Sequence, residues 1–238
     1  MSSTAVPPAI ERLPILAHDS TPLVNTWRRR TRDGHEPHVA IVMPDLEALS
    51  PIATDPLLLY TERMLLDLGA DVLRLRFPLD PTNVEHPETE DRMLVDARAA
   101  LDAAVAQAKY TRITIVAQGM GTRALARLLV ESPDALGHKD ARDRTAKDVR
   151  TIWFSPPWKD TTVYDRMLLW KRPALHVIGM LDAHFSKQLQ AYLAEKTKAH
   201  ILAVPRVGQT LDVPGDVDAS IASLKATLYA TKRFLTLT

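Results

Sequence analysis

The chain has 238 residues, 30 Lys+Arg against 29 Asp+Glu, 46% hydrophobic residues and no cysteine. The absence of cysteine excludes a disulfide scaffold, a thiol nucleophile, a thiolate zinc site and an iron–sulfur cluster. A formal net charge of +1 gives no reason to expect nucleic acid or an anionic membrane as the partner, and the length suits a domain with a sizeable core.

Met1–Pro8 lacks the basic segment and apolar stretch of a signal peptide. No run approaches the ~18 apolar residues of a membrane span. A cytoplasmic protein is expected. Residues 1–30 read as an N-terminal arm with candidate edge strands, and 31–238 as one domain. Extended pieces are expected around Leu13–Ala17 and Pro22–Arg28, with His18-Asp19-Ser20-Thr21 as the turn between them. The basic run Arg28, Arg29, Arg30 and Arg32 reads as a solvated strand end, because nothing aromatic or Gly-rich interleaves it.

His38–Met43 is a continuous apolar run closed by Pro44, the pattern of a buried parallel strand. Helical spacing over Asp55–Leu68 stops at Gly69, a C-cap signal. Asp71–Phe77 reads as the next strand, Pro78–Pro87 as a loop, and Glu88–Ala108 as a long helix with acids early. Strands follow at Arg112–Ala117, Val149–Phe154, Ala174–Gly179 and His200–Val204. Helices are expected at Thr122–Glu131, Thr161–Trp170, Ala183–Lys196 and Val217–Phe234, and a charged excursion at 132–148. This alternation predicts an α/β fold: a mostly parallel central sheet with helices on both faces. Ligands of such sheets sit at the carboxyl ends of the strands. That directs attention to Pro44-Asp45-Leu46, Gln118-Gly119-Met120-Gly121, Ser155, Asp182 and Arg206–Thr210.

From about residue 38 onward the chain resembles the α/β-hydrolase superfamily, and within it the small bacterial members with little or no cap, of the dienelactone-hydrolase-like kind. Ile41-Val42-Met43-Pro44 resembles the strand entering the oxyanion-hole loop. Asp67–Leu75 resembles the first crossover helix and next strand, and Ile115–Thr122 the nucleophile elbow. Ile178–Asp182 resembles the loop of the catalytic acid, and Val204–Gly215 the loop of the catalytic histidine.

The resemblance implies a triad that this chain has largely lost. The elbow, small-x-Ser-x-Gly in the family, reads Ala117-Gln118-Gly119-Met120-Gly121. Gly119 has no hydroxyl and cannot form an acyl-enzyme. The acid position is kept as Asp182. The histidine position is Gln209, and an amide is no general base at neutral pH. Asp45 stands where the family often has glycine, and a carboxylate near an oxyanion site repels developing negative charge. The backbone N–H of Met120 remains a donor. Asp45, Leu46, Met120, Ser155 and His184 are the candidate lining of the vestigial pocket.

Three readings follow. The first is a hydrolase-fold protein that has lost hydrolytic activity and binds a small molecule or a protein partner, with a second copy of the chain as one candidate. The second is an active esterase-type hydrolase with displaced residues, Ser155 and His184 being the candidate pair. The third uses Gly119-Met120-Gly121-Thr122-Arg123-Ala124 as a G-x-G-x-x-A dinucleotide fingerprint. Against the third, the following strand ends in Ser-Pro-Pro and not in an acid for the ribose. The eight histidines, His35 and His38 included, show no metal-ligand spacing. No metal or cofactor is expected. Trp153, Trp158 and Trp170 read as core and loop packing, and the charged stretch His138–Arg144 as a solvated loop.

Overall fold

The computed structural model describes residues 10–30, 36–45, 55–77, 87–131, 136 and 148–236. Its strands are β1 (Ile10–Glu11), β2 (Asn25–Arg28), β3 (His38–Met43), β4 (Ala70–Leu75), β5 (Arg112–Gln118), β6 (Asp148–Phe154), β7 (Ala174–Gly179) and β8 (His200–Val204). They form one eight-stranded sheet in the order β1-β2-β4-β3-β5-β6-β7-β8. Strands β3 to β8 run parallel, while β2 lies antiparallel to β4 and to β1. The helices are α1 (Pro56–Asp67), α2 (Pro87–Val105), α3 (Gly121–Glu131), α4 (Thr161–Leu169), α5 (Lys187–Lys196) and α6 (Val217–Thr236).

The central strands are apolar throughout because both faces are covered. On one face Ala40, Val42, Val116, Ile152 and Val177 pack under Leu57, Leu58 and Leu65 of α1 and Phe234 of α6. On the other, Ile41, Ile115, Trp153 and Ile178 meet Met93 and Leu101 of α2, Leu125 of α3, Met167 of α4 and Leu193 of α5. Trp153, Trp158 and Trp170 are buried in this second layer as core.

The helix ends follow capping chemistry. Asp55 caps α1, its carboxylate accepting the Leu57 N–H at 2.7 Å with Pro56 opening the helix. The helix stops where expected, before Gly69 at φ +83°. The helix expected over 183–196 starts only at Lys187, because Ser186 takes the N-cap position. That leaves Asp182 on a turn. The long helix ends at Val105, short of the expected Ala108.

The N-terminal expectation needs more correction. Leu13–Ala17 is not a regular strand; within it Leu16 makes an isolated bridge to Pro22, and the Leu13 N–H is taken by the Asn25 side chain at 2.9 Å. Asn25 is buried and bonds back to the Leu13 and Leu23 carbonyls, so a side chain continues the pairing that backbone bonds make from Leu23 to Ile15 at 2.8 Å and from Ala17 to Thr21 at 2.7 Å. The turn forms as expected: Ser20 has φ +65° and Asp19 accepts the Thr21 N–H at 2.9 Å.

Two arginines of the basic run are ion-paired. Arg28 reaches the buried Glu62 at 3.4 Å, which also takes Arg74 at 3.0 Å, and Arg29 reaches Glu11 at 3.7 Å. Arg32, His35, the 78–86 loop and nearly all of the 132–147 excursion, including His138–Arg144, lie outside the described residues.

Candidate functional site

The parallel register brings the carboxyl ends of β3, β5, β6 and β7 to one edge of the sheet. Met43 pairs with Ala117 and Gln118 with Phe154. Asp45, Gly119 and Ser155 therefore lie at neighbouring strand ends. The Gly119 N–H donates to the Phe154 carbonyl at 3.1 Å, and the Ser155 N–H to the Val177 carbonyl at 2.8 Å. The ladder thus extends one residue past each strand before the chain turns.

At the elbow the chain reverses sharply from β5 into α3. Gly119 has φ +51°, a left-handed conformation that glycine adopts without steric cost. Gly121 has a different reason for lacking a side chain. A Cβ there would stand 2.6 Å from the carbonyl oxygens of Met43 and Pro44, so the close approach of α3 to the end of β3 requires glycine. The Thr122 hydroxyl donates to the Gly119 carbonyl at 2.6 Å and tightens the turn. The chain therefore makes a tight strand-to-helix turn with no side chain at position 119.

The space beside Gly119 is filled. A Cβ built on Gly119 would overlap the carboxylate of Asp45. That carboxylate also accepts the Met120 N–H at 2.9 Å through Oδ1. Helix N-termini leave backbone donors without intrahelical partners and favour negative charge. Asp45, reaching across from the end of β3, satisfies that need for α3. The Met120 N–H is thus already engaged by an anion. Beneath it, Gln118 donates to Asp55 Oδ2 at 2.5 Å, which ties the elbow to the α1 cap.

Ser155 and His184 are not hydrogen-bonded to one another. Ser155 is buried at φ +49°, and its hydroxyl donates to the Gln209 carbonyl at 2.5 Å. It works as a clamp between β6 and the loop after β8. His184 donates its backbone N–H to Asp182 Oδ1 at 2.8 Å, an Asx-type turn, and its ring Nδ1 has no partner among the described residues. Asp182 is buried, and its Oδ2 likewise has no partner there. Gln209 is exposed. The structure thus groups Asp45, Gly119 and Met120 tightly and joins Ser155 to Gln209 through the backbone. Leu46 lies outside the described residues.

The dinucleotide alternative meets a physical obstacle here. Pyrophosphate would need the Met120 N–H and the space over Gly119, and the Asp45 carboxylate holds both. Two negative groups cannot share them cheaply. Nor do the described residues contain a cluster of His, Cys, Asp or Glu suited to hold a metal ion.

Sequence reasoning missed one feature. A cavity of about 370 Å³ lies between the start of α1, the 210–216 loop and α6. Asp55 is legible in the sequence only as a helix-start residue, and nothing there singles out Asp216. Their convergence depends on α1 packing against α6, which no local pattern encodes.

No protein-family model matches the chain, and no curated protein does. Solved structures do. A lidless α/β serine hydrolase from Xanthomonas campestris, XC6422, is 18% identical with a TM-score of 0.64, covering 100% of both chains. The esterase Pf2001 of Pyrococcus furiosus is 15% identical with a TM-score of 0.62, over 96% of this chain and 92% of its own. Est1E from Butyrivibrio proteoclasticus is 13% identical with a TM-score of 0.65, over 93% of this chain and 96% of its own. The strand order and these likenesses define the class: this chain has the α/β-hydrolase fold. Among the described residues no helix is long and apolar enough to cross a membrane.

Proposed function

We propose that this hydrolase-fold protein, of the cap-poor, dienelactone-hydrolase-like kind, does not hydrolyse esters and acts in the cytoplasm by binding, with a small organic molecule as the ligand. The observation that carries this reading is the Asp45 carboxylate. It lies in the nucleophile's space and on the Met120 N–H, where hydrolysis needs a hydroxyl and a free donor. Gln209 supplies no base, and Asp182 is an acid without its histidine. A protein partner or a second copy of the chain is the other class of occupant within the same reading.

Hydrolysis of short-chain aryl esters by the purified protein tests it, beside the triple variant Asp45→Gly/Gly119→Ser/Gln209→His. The expected result is no turnover above buffer in the parent and measurable turnover in the variant. Removing one oxyanion donor alone costs an esterase or protease about 10²–10³ in rate, so Gly119→Ser/Gln209→His without Asp45→Gly should gain far less. Turnover by the parent that disappears in Ser155→Ala overturns the reading in favour of an esterase with displaced residues.

A further inference from the structure

The cavity of about 370 Å³ lies one side chain away from the elbow: Asp55, on its wall, holds Gln118 at 2.5 Å. Its walls are apolar, with Leu57, Leu211, Val213 and Leu224 facing the space. Val217 and Ile221 form a rim and are 73% and 58% exposed. The wall on the loop side is built rather than draped. Ser223 donates to the Leu211 carbonyl at 2.8 Å, and Ser220 accepts the Val213 N–H at 2.8 Å, so α6 stitches the loop down.

Charge selects the occupant. Asp55, Asp212 and Asp216 line the cavity, and among the described residues no lysine, arginine or histidine does. Each carboxylate also has a local role: Asp55 caps α1, Asp216 accepts the Ala219 N–H at 2.9 Å, and Asp212 accepts from Thr210. These contacts hold the carboxylates in place, and no cationic side chain among the described lining residues offsets their charge. A second observation points to a ligand in the same cavity. Thr227, wholly buried on the cavity wall, has a hydroxyl with no partner among the described residues. A buried hydroxyl without a partner is costly unless a ligand or water supplies one.

We propose that this cavity is the ligand site, and that it takes an amphiphilic organic cation: an ammonium group beside the aspartates, with an apolar body on the leucine and valine walls. An anion would face three carboxylates, and a neutral chain would gain only from burial. The proposal rests on the binding reading above, but it places the ligand beside the elbow, because Asp45 already fills the elbow itself.

Titration calorimetry of the full chain decides it, with octylammonium, octanesulfonate and octanol as probes below their micelle-forming concentrations. Parent protein should bind the ammonium at least tenfold more tightly than the sulfonate. The Asp212→Asn/Asp216→Asn variant, in which asparagine keeps the helix cap, should lose that preference by about tenfold. Ile221→Arg, a change on the exposed rim, should abolish ammonium binding and admit the sulfonate. Equal binding of all three probes, ammonium binding indifferent to both variants, or no binding at millimolar probe each overturns the proposal. The outcomes separate it from the functional reading: ester turnover by a parent that binds the cation sinks only the loss of hydrolysis, whereas no turnover and no cation binding sinks only this site.

Discussion

The carboxylate of Asp45 occupies the place that a side chain on residue 119 would need, and Gly119 is what lets it stay there. The two residues come from different strand ends, and each explains the other. A glycine in the elbow makes room for an anion on the α3 N-terminus. The anion in turn satisfies a donor that would otherwise be left bare.

This pair predicts a strong coupling. Gly119→Ser alone puts a Cβ into the Asp45 carboxylate and a side chain at φ +51°, which should lower stability by about 2–4 kcal/mol from overpacking and backbone cost together. In the Asp45→Gly background the same change should cost about 1–2 kcal/mol, since only the backbone cost remains. Urea denaturation of the four proteins measures the cycle. Additive effects would mean that the two residues do not compete for one space.

Ser155→Ala should destabilise by about 1 kcal/mol, because the Gln209 carbonyl loses its hydroxyl donor. Ser155→Gly loses the same bond but relieves the φ +49° backbone, so it should be the milder of the two. Thermal melts of both variants check this order. The reverse order would place the cost elsewhere than in the hydrogen bond.

Asp55 should matter twice, as the cap of α1 and as the partner of Gln118. Asp55→Ala is expected to cost about 1–2 kcal/mol, whereas Asp55→Asn, which still caps, should cost much less. Chemical denaturation of the pair reads the difference directly.

Acid sensitivity should centre on two histidines. Burial holds His176 down to about 3, and burial with help from Arg112 holds His38 down to about 3. Unfolded histidine protonates near 6.5. Between those values the unfolded chain carries more protons, so stability falls as pH falls below about 6.5 and is intact above it. Each histidine contributes up to about 1.4 kcal/mol per pH unit. His176 has no hydrogen-bond partner on either ring nitrogen among the described residues and packs on Trp153 at 5.6 Å. His176→Leu should therefore change stability at pH 7 by less than about 1.5 kcal/mol. It should also roughly halve the histidine contribution to the slope between pH 6 and 5. Urea midpoints across that range test it; an unchanged slope would remove His176 from the account.

Much of the architecture was written in local pattern. The runs His38–Met43, Ala174–Gly179 and His200–Val204 are strands at their expected ends, since continuous apolar character needs no tertiary information to detect. Gly69 as a helix stop rests on backbone geometry alone. Leu13–Ala17 falls short of a regular strand because a buried asparagine takes over the pairing at Leu13, and only Ile15 and Ala17 bond the backbone of residues 21–23. The start of α5 was misplaced because Ser186 outcompetes the residues before it as a cap.

By itself, then, the sequence determined the strand–helix alternation, the elbow glycines, and the absence of serine at 119 and of histidine at 209. These depend on residue identity and near-neighbour spacing. Only the tertiary structure decided that Asp45 fills the elbow, that Ser155 clamps Gln209 rather than meeting His184, and that Asp55, Asp212 and Asp216 surround one cavity. Each of those contacts joins segments distant in the chain, and it is the packing of strand ends and of α1 on α6 that brings them within reach.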